Sequence, residues 1–83
     1  MKKQDFTMLK LKDLHPFPDN PFHVTEDELL EELAESIKEF GIVTPIITRP
    51  KEDGYGYEVI AGQRRVRASE MAGIDTIPAF VLS

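Results

Sequence analysis

Gly62-Gln63-Arg64-Arg65-Val66-Arg67-Ala68 carries the only dense cationic cluster beyond the amino terminus, and it carries it in an unfavourable place. Tyr57-Glu58-Val59-Ile60 leads in as a β-favouring run, and Met71-Ala72-Gly73 leads out. The pattern predicts a strand, a glycine turn, and a helix from about Gln63 to Ala72 that packs Val66 and Met71 inward and stops at Gly73. A helix's amino end bears partial positive charge and unpaired N–H groups. Arg64 and Arg65 there each weaken the helix by a few tenths to about 1 kcal/mol unless something negative faces them. A phosphate held by the turn's N–H groups and by the guanidinium forks would supply that charge. Local pairing is the alternative. Arg67 has Glu70 three residues on, whereas Val66, Arg67, Ala68 and Ser69 follow Arg64 and Arg65 where a carboxylate would be needed. The motif by itself leaves anion site and structural pairing both open.

The elements that must hold this turn follow from the rest of the chain. Phe6–Lys12 alternates loosely, with Leu9 and Leu11 on one face, and predicts a short strand. His15 to Phe22 contains Pro16, Pro18 and Pro21 and is expected as an ordered loop or extended connection, pinned by Phe17 and Phe22. Thr25-Glu26-Asp27-Glu28 matches a capping box and opens a helix. Leu29, Leu30, Leu33, Ala34, Ile37 and Phe40 recur at spacings of three and four, which predicts one core-facing stripe, and Gly41 ends the helix. Glu28, Glu31, Glu32 and Glu35 read as a solvated face. Ile42–Arg49 predicts a strand with Pro45 near its start, and Pro50–Gly56 a turn. Tyr57–Ala61 returns as a second strand of a hairpin or near-hairpin. Thr76–Val81 closes as a strand, placed at an edge by Pro78. The order β, α, β, β, α, β predicts a compact α+β domain, helices on a small mixed sheet.

Composition narrows the chemistry. Eighty-three residues with 41% hydrophobic content suit one small domain with a modest core. With no cysteine there is no disulfide, thiolate metal site or cysteine nucleophile. His15 and His23 sit at separate loop positions without a helical or hairpin partner, so no metal site is expected. No stretch approaches a membrane span, and Met1-Lys2-Lys3 is not followed by an apolar signal core, which makes a cytoplasmic protein the default. The net charge of −5 is the wrong sign for a domain that grips nucleic acid by itself. A local anion pocket fits the charge pattern better than a long DNA track.

The motif and its surroundings resemble a known family. Gly62-Gln63-Arg64-Arg65-Val66-Arg67-Ala68 is similar to the Gly-Glu-Arg-Arg-x-Arg-Ala signature of ParB chromosome and plasmid partition proteins. Leu33 to Ile42, Pro45-Ile46-Ile47, Tyr57 to Gly62, Ala72-Gly73-Ile74 and Ile77-Pro78 resemble the amino-terminal ParB domain in order and spacing, roughly from Leu9 to Val81. The resemblance implies the ParB/sulfiredoxin-like fold over residues 1–83, and CTP with Mg2+ as ligand. It implies a nucleotide site at Ala61, Gly62, Gln63, Arg64 and Arg65, with Thr44 nearby. Gly62 would allow close backbone approach, and Arg64 and Arg65 would contact phosphate oxygens. Ser36 and Thr44 match stretches near that pocket, although Thr44 also reads as a solvent-facing strand residue. A bacterial nucleoid-associated protein and a possible homodimer are implied too.

Three departures qualify that expectation. Gln63 stands where the family has glutamate, and an amide cannot act as a base. Binding could then survive while hydrolysis is slowed or lost, so no catalytic residue is assigned. Asn20-Pro21-Phe22-His23 replaces the family's Gln-Pro-Arg loop, whose arginine is missing or replaced by His23. The chain ends at Ser83, short of the parts that recognise DNA and dimerise in the family. Sulfiredoxin activity is excluded because the matching turn has no cysteine. Two rivals remain: a ParB-like nuclease, hydrolase or phosphotransferase using Glu58 or Glu70, and a protein-interaction module using the acidic helix.

Overall fold

A computed structural model of the chain describes residues 6–17, 27–41 and 44–82. Its strands are β1 (Thr7–Lys10), β2 (Leu14–Pro16), β3 (Ile46–Pro50), β4 (Tyr57–Ala61) and β5 (Thr76–Val81). Its helices are α1 (Glu28–Phe40) and α2 (Gln63–Met71), with a 3-10 turn at Leu11–Asp13. The strands form one mixed sheet in the order β1-β5-β3-β4-β2. β3 and β4 make the antiparallel hairpin expected from the sequence, pairing Thr48 with Val59 and Arg49 with Glu58. In its turn Asp53 accepts a hydrogen bond from the Tyr55 N–H at 2.9 Å.

Two clusters build the core, and α2 joins them. Leu9, Ile46, Val59, Ile77 and Ala79 pack on the sheet, with Val66 of α2 against them. Leu30, Ala34 and Ile37 of α1 pack on Ala68 of α2, flanked by Leu33, Met71 and Ile74. Ala68 and Ser69 are fully buried. The small side chain of Ala68 lets the helices approach, and Ser69 satisfies its hydroxyl by donating to the Arg65 carbonyl at 2.7 Å. The expected inward residues Val66 and Met71 are partly buried, one toward each cluster.

Several expectations change. The cap of α1 is Asp27, whose carboxylate accepts the Leu30 N–H at 2.9 Å. Aspartate is as good a cap as threonine, and it stands where the helical φ/ψ begin; Thr25 lies outside the described residues. Leu29 and Phe40 are exposed, at 67% and 73%. Positions 29, 33, 36 and 40 form a stripe adjacent to 30, 34 and 37, and spacings of three and four do not separate the two. Contact with α2 selects the second stripe.

His15 and Pro16, expected at the start of an ordered loop or extended connection, instead belong with Leu14 to β2, which runs parallel to β4. It fits because Gly56 (φ +93) leaves room: a Cβ there would stand 2.6 Å from the Asp13 carbonyl oxygen and 2.9 Å from His15 Nε2. β3 begins at Ile46, after Thr44 and Pro45; residues 42 and 43 lie outside the described set. β5 is an interior strand, not an edge, lying antiparallel to β1 and parallel to β3. Its register with β3 begins at Ile46 opposite Ala79, so Pro78 precedes that ladder and its missing N–H is not demanded there.

The choice between the two stripes is measurable. Leu30→Ala is expected to lower the unfolding free energy by about 2–5 kcal/mol in urea titration, because it empties a closed contact. Leu29→Ala, one residue away and exposed, is expected to stay within about 0.5 kcal/mol.

Candidate functional site

The link between β4 and α2 is a single residue. Gly62 has φ +105 and ψ 22, a left-handed conformation that turns the chain directly from strand to helix. A Cβ at this position would lie 2.5 Å from Cγ2 of the fully buried Ile46. Backbone and core therefore meet here with no space for a side chain. The helix that starts at this point has no side-chain cap and no acidic residue in its first turn. Its first intrahelical bond runs from the Val66 N–H to the Gly62 carbonyl. The N–H groups of the first turn are thus not spent on a side chain. α1 differs at its own start, with Asp27 as cap and Glu28 and Glu31 in the first turn.

Over that open end lies a cavity of about 380 Å³ lined by Leu33, Gly62, Gln63, Arg64 and Arg65. Its floor is the turn and its apolar wall is Leu33 from α1. Arg65 reaches back to the segment before β3, where Nη1 donates to the Pro45 carbonyl at a long 3.4 Å. Arg64 leans toward α1, with Nη2 3.6 Å from Asp27 Oδ1. Both side chains of that pair are partly solvent-exposed, so the contact contributes about 0–1 kcal/mol. Neither guanidinium is held by a short bidentate pair, the geometry that would commit it to structure. Gln63 is turned to the strand, its amide donating to the carbonyls of Val59 at 3.3 Å and Ile60 at 3.4 Å.

The other expected residues lie around this turn to different degrees. Ala61 is the exposed last residue of β4, and Thr44 is exposed in a bend beside Pro45; neither lines the cavity. Ser36 is exposed on α1. Arg67 pairs with Glu70 at 3.4 Å, as its spacing implies. Glu58 is engaged elsewhere: its carboxylate accepts from Arg49 Nε at 2.9 Å, and Arg49 also lies 4.4 Å from the centroid of the Phe17 ring. Glu58 alternates with Val59, which faces α2, so it points to the opposite side of the sheet. His15 lies against Gly56; His23 lies outside the described residues, as does the Asn20–His23 loop. Among the described residues there is no group of three or more metal-ligating side chains.

A larger hollow, about 520 Å³, lies at the opposite end of α2 between Lys10–Lys12 and Gly73–Thr76. It mixes Lys10 and Lys12 with Glu70 and Asp75 and sits where the helix presents its carbonyl end. That arrangement has no preference for an anion, which leaves the smaller cavity as the candidate site. Three participants were not visible in sequence: Leu33 as wall, the Pro45 carbonyl and Asp27. Asp27 and Arg64 are 37 positions apart in numbering, far outside any helical pairing rule.

Comparison with known proteins identifies the family and the fold. The family model for the ParB N-terminal domain matches residues 1–83. Stage 0 sporulation protein J of Bacillus subtilis is 45% identical over 73 residues, covering 88% of this chain and 25% of that protein. The chain spans about a quarter of the length of the curated relatives it matches. Among solved structures, C-terminally truncated ParB from Caulobacter crescentus complexed with CTP-gamma-S superposes with a TM-score of 0.84 at 37% identity, over 94% of this chain and 44% of that one. The same protein is also known complexed to the centromeric parS site. Sulfiredoxin from Arabidopsis thaliana shares the fold, with a TM-score of 0.78 at 22% identity over 94% of this chain and 84% of that one.

The constraint at the turn is directly testable. Gly62→Ala forces a Cβ into Ile46 at a positive φ, and is expected to lower the unfolding free energy by about 1–3 kcal/mol or more in thermal or urea melts.

Proposed function

The chain belongs to the ParB N-terminal domain family, and on that premise we propose that the Gly62–Arg65 turn holds the polyphosphate of a nucleoside triphosphate, with CTP and Mg2+ as the ligand. The observation that carries this reading is the uncapped start of α2, opening into a cavity lined by Arg64 and Arg65. Support comes from the Caulobacter relative, which was solved with a CTP analogue. In this reading Gly62 lets the backbone approach the phosphates, the first-turn N–H groups donate to their oxygens, and the two arginines neutralise their charge. Leu33 supplies an apolar wall beside the less polar parts of the nucleotide. Magnesium would enter with the phosphates, which together with water supply most of its ligands in such sites.

Residues 1–83 would then serve as the nucleotide-sensing module of a longer, nucleoid-associated partition protein that meets DNA through other parts. Bound triphosphate would draw the turn, Arg65 and the Pro45 segment together and shift the module between free and self-associated states. Holding is favoured over turnover. Gln63 cannot take a proton and its amide is engaged with β4, while Glu58 and Glu70 are paired with arginines away from the cavity.

Calorimetric titration with CTP, other nucleoside triphosphates and Mg2+ tests this. Arg65→Ala is expected to weaken CTP binding about 10- to 100-fold, the worth of one or two charge-assisted bonds, with an unchanged far-UV spectrum. Equal binding by wild type and Arg65→Ala, or none by either, overturns the reading. Phosphate release by the wild type above the Arg65→Ala level would favour the hydrolase.

A further inference from the structure

Asp27 Oδ1 serves two donors at once. It takes the Leu30 N–H at 2.9 Å, a firm helix cap, and stands 3.6 Å from Arg64 Nη2, a looser ion pair. The loose contact places a carboxylate of the chain itself against a guanidinium that lines the cavity. The geometry points to Asp27 as a built-in competitor anion: it occupies Arg64 until a polyphosphate displaces it. This inference rests on the polyphosphate site proposed above.

The chemistry follows from charge and direction. A phosphate arriving at Arg64 meets the Asp27 carboxylate a few ångströms away, and the two anions repel, so one of them must leave the guanidinium. Asp27 leaves at little structural cost, because its second bond to Leu30 keeps α1 capped. Arg64 and Arg65 follow one another on the helix and project about 100° apart, so a single phosphate engages one of them at a time. Arg65 is held by only one long bond to a carbonyl and is the easier of the two to recruit. A monophosphate can settle at Arg65 and leave the Asp27–Arg64 pair closed. A chain of phosphates spans both arginines and opens it. The pair therefore lowers affinity for long polyphosphates, and it makes their binding report through the start of α1.

The test uses Asp27→Asn, which removes the charge and keeps an equally good cap. Inorganic tripolyphosphate and orthophosphate are titrated calorimetrically at low ionic strength without magnesium, with CTP as a further ligand and thermal melts as a control. Asp27→Asn is expected to bind tripolyphosphate about two- to fivefold more tightly than the wild type, with a smaller gain for orthophosphate and an unchanged melting temperature. Binding by Asp27→Asn alone, with a silent wild type, supports the latch in its strongest form. Equal or weaker tripolyphosphate binding by Asp27→Asn overturns it, leaving Asp27 as a cap or as a residue that aims Arg64. An equal gain for orthophosphate overturns the discrimination by chain length. If neither protein binds tripolyphosphate or CTP, the nucleotide site itself falls and the latch falls with it.

Discussion

The contact between the Gly62 backbone and the side chain of Ile46 is the constraint on which the rest depends. Ile46 is fully buried at the start of β3, and Gly62 approaches it more closely than any residue with a Cβ could. That approach fixes where β4 stops and α2 starts, with one residue between them. A longer or looser connection would leave space for a side-chain cap and would let the first turn of α2 satisfy itself. The tight turn instead leaves the first-turn N–H groups uncapped and sets Arg64 and Arg65 at the mouth of the cavity. Core packing and site electrostatics are two consequences of one missing methyl group.

The two helix starts show how the same physics can serve opposite ends. α1 has a carboxylate cap and acidic residues in its first turn, and is electrostatically complete. α2 has a glycine at its cap and arginines in its first turn, so its own first turn supplies no anion to balance them. The helices pack through Leu30, Ala34, Ile37 and Ala68, which brings the satisfied start close to the unsatisfied one. Asp27 caps the first and reaches toward the second. A single carboxylate thus touches both helix starts.

Much of this was legible in the residues themselves. Tyr57–Ala61 shows its bounds in the sequence, because a β-favouring run between glycine-rich turns leaves little choice. The helix after Gly62 and the Arg67–Glu70 pair are legible too, since both depend on neighbours within four positions. The misplacements share a different cause. Leu29 and Phe40 read as core residues in sequence because two adjacent helical stripes have the same spacing, and only the partner helix distinguishes them. Pro78 points to an edge because proline lacks a donor, yet it pairs with Met8 of β1 while the register with β3 starts one residue later, at Ala79. His15 and Pro16 look like part of a connection in sequence because their strand character comes from β4, held at a distance that Gly56 permits.

Local sequence, then, determined the strand–glycine–helix unit, its concentration of cationic charge and the absence of any cysteine chemistry, because each is set by residue identity and short-range spacing. It also determined the family likeness, which is a matter of ordered motifs along the chain. Tertiary structure decided which anions and carbonyls those arginines meet. Pro45 and Asp27 lie 20 and 37 positions from Arg65 and Arg64, and come within reach only when β3 pairs with β4 and α1 packs on α2. Contacts of that range have no periodic signature, since they depend on how separate elements are stacked and not on how any one of them is wound.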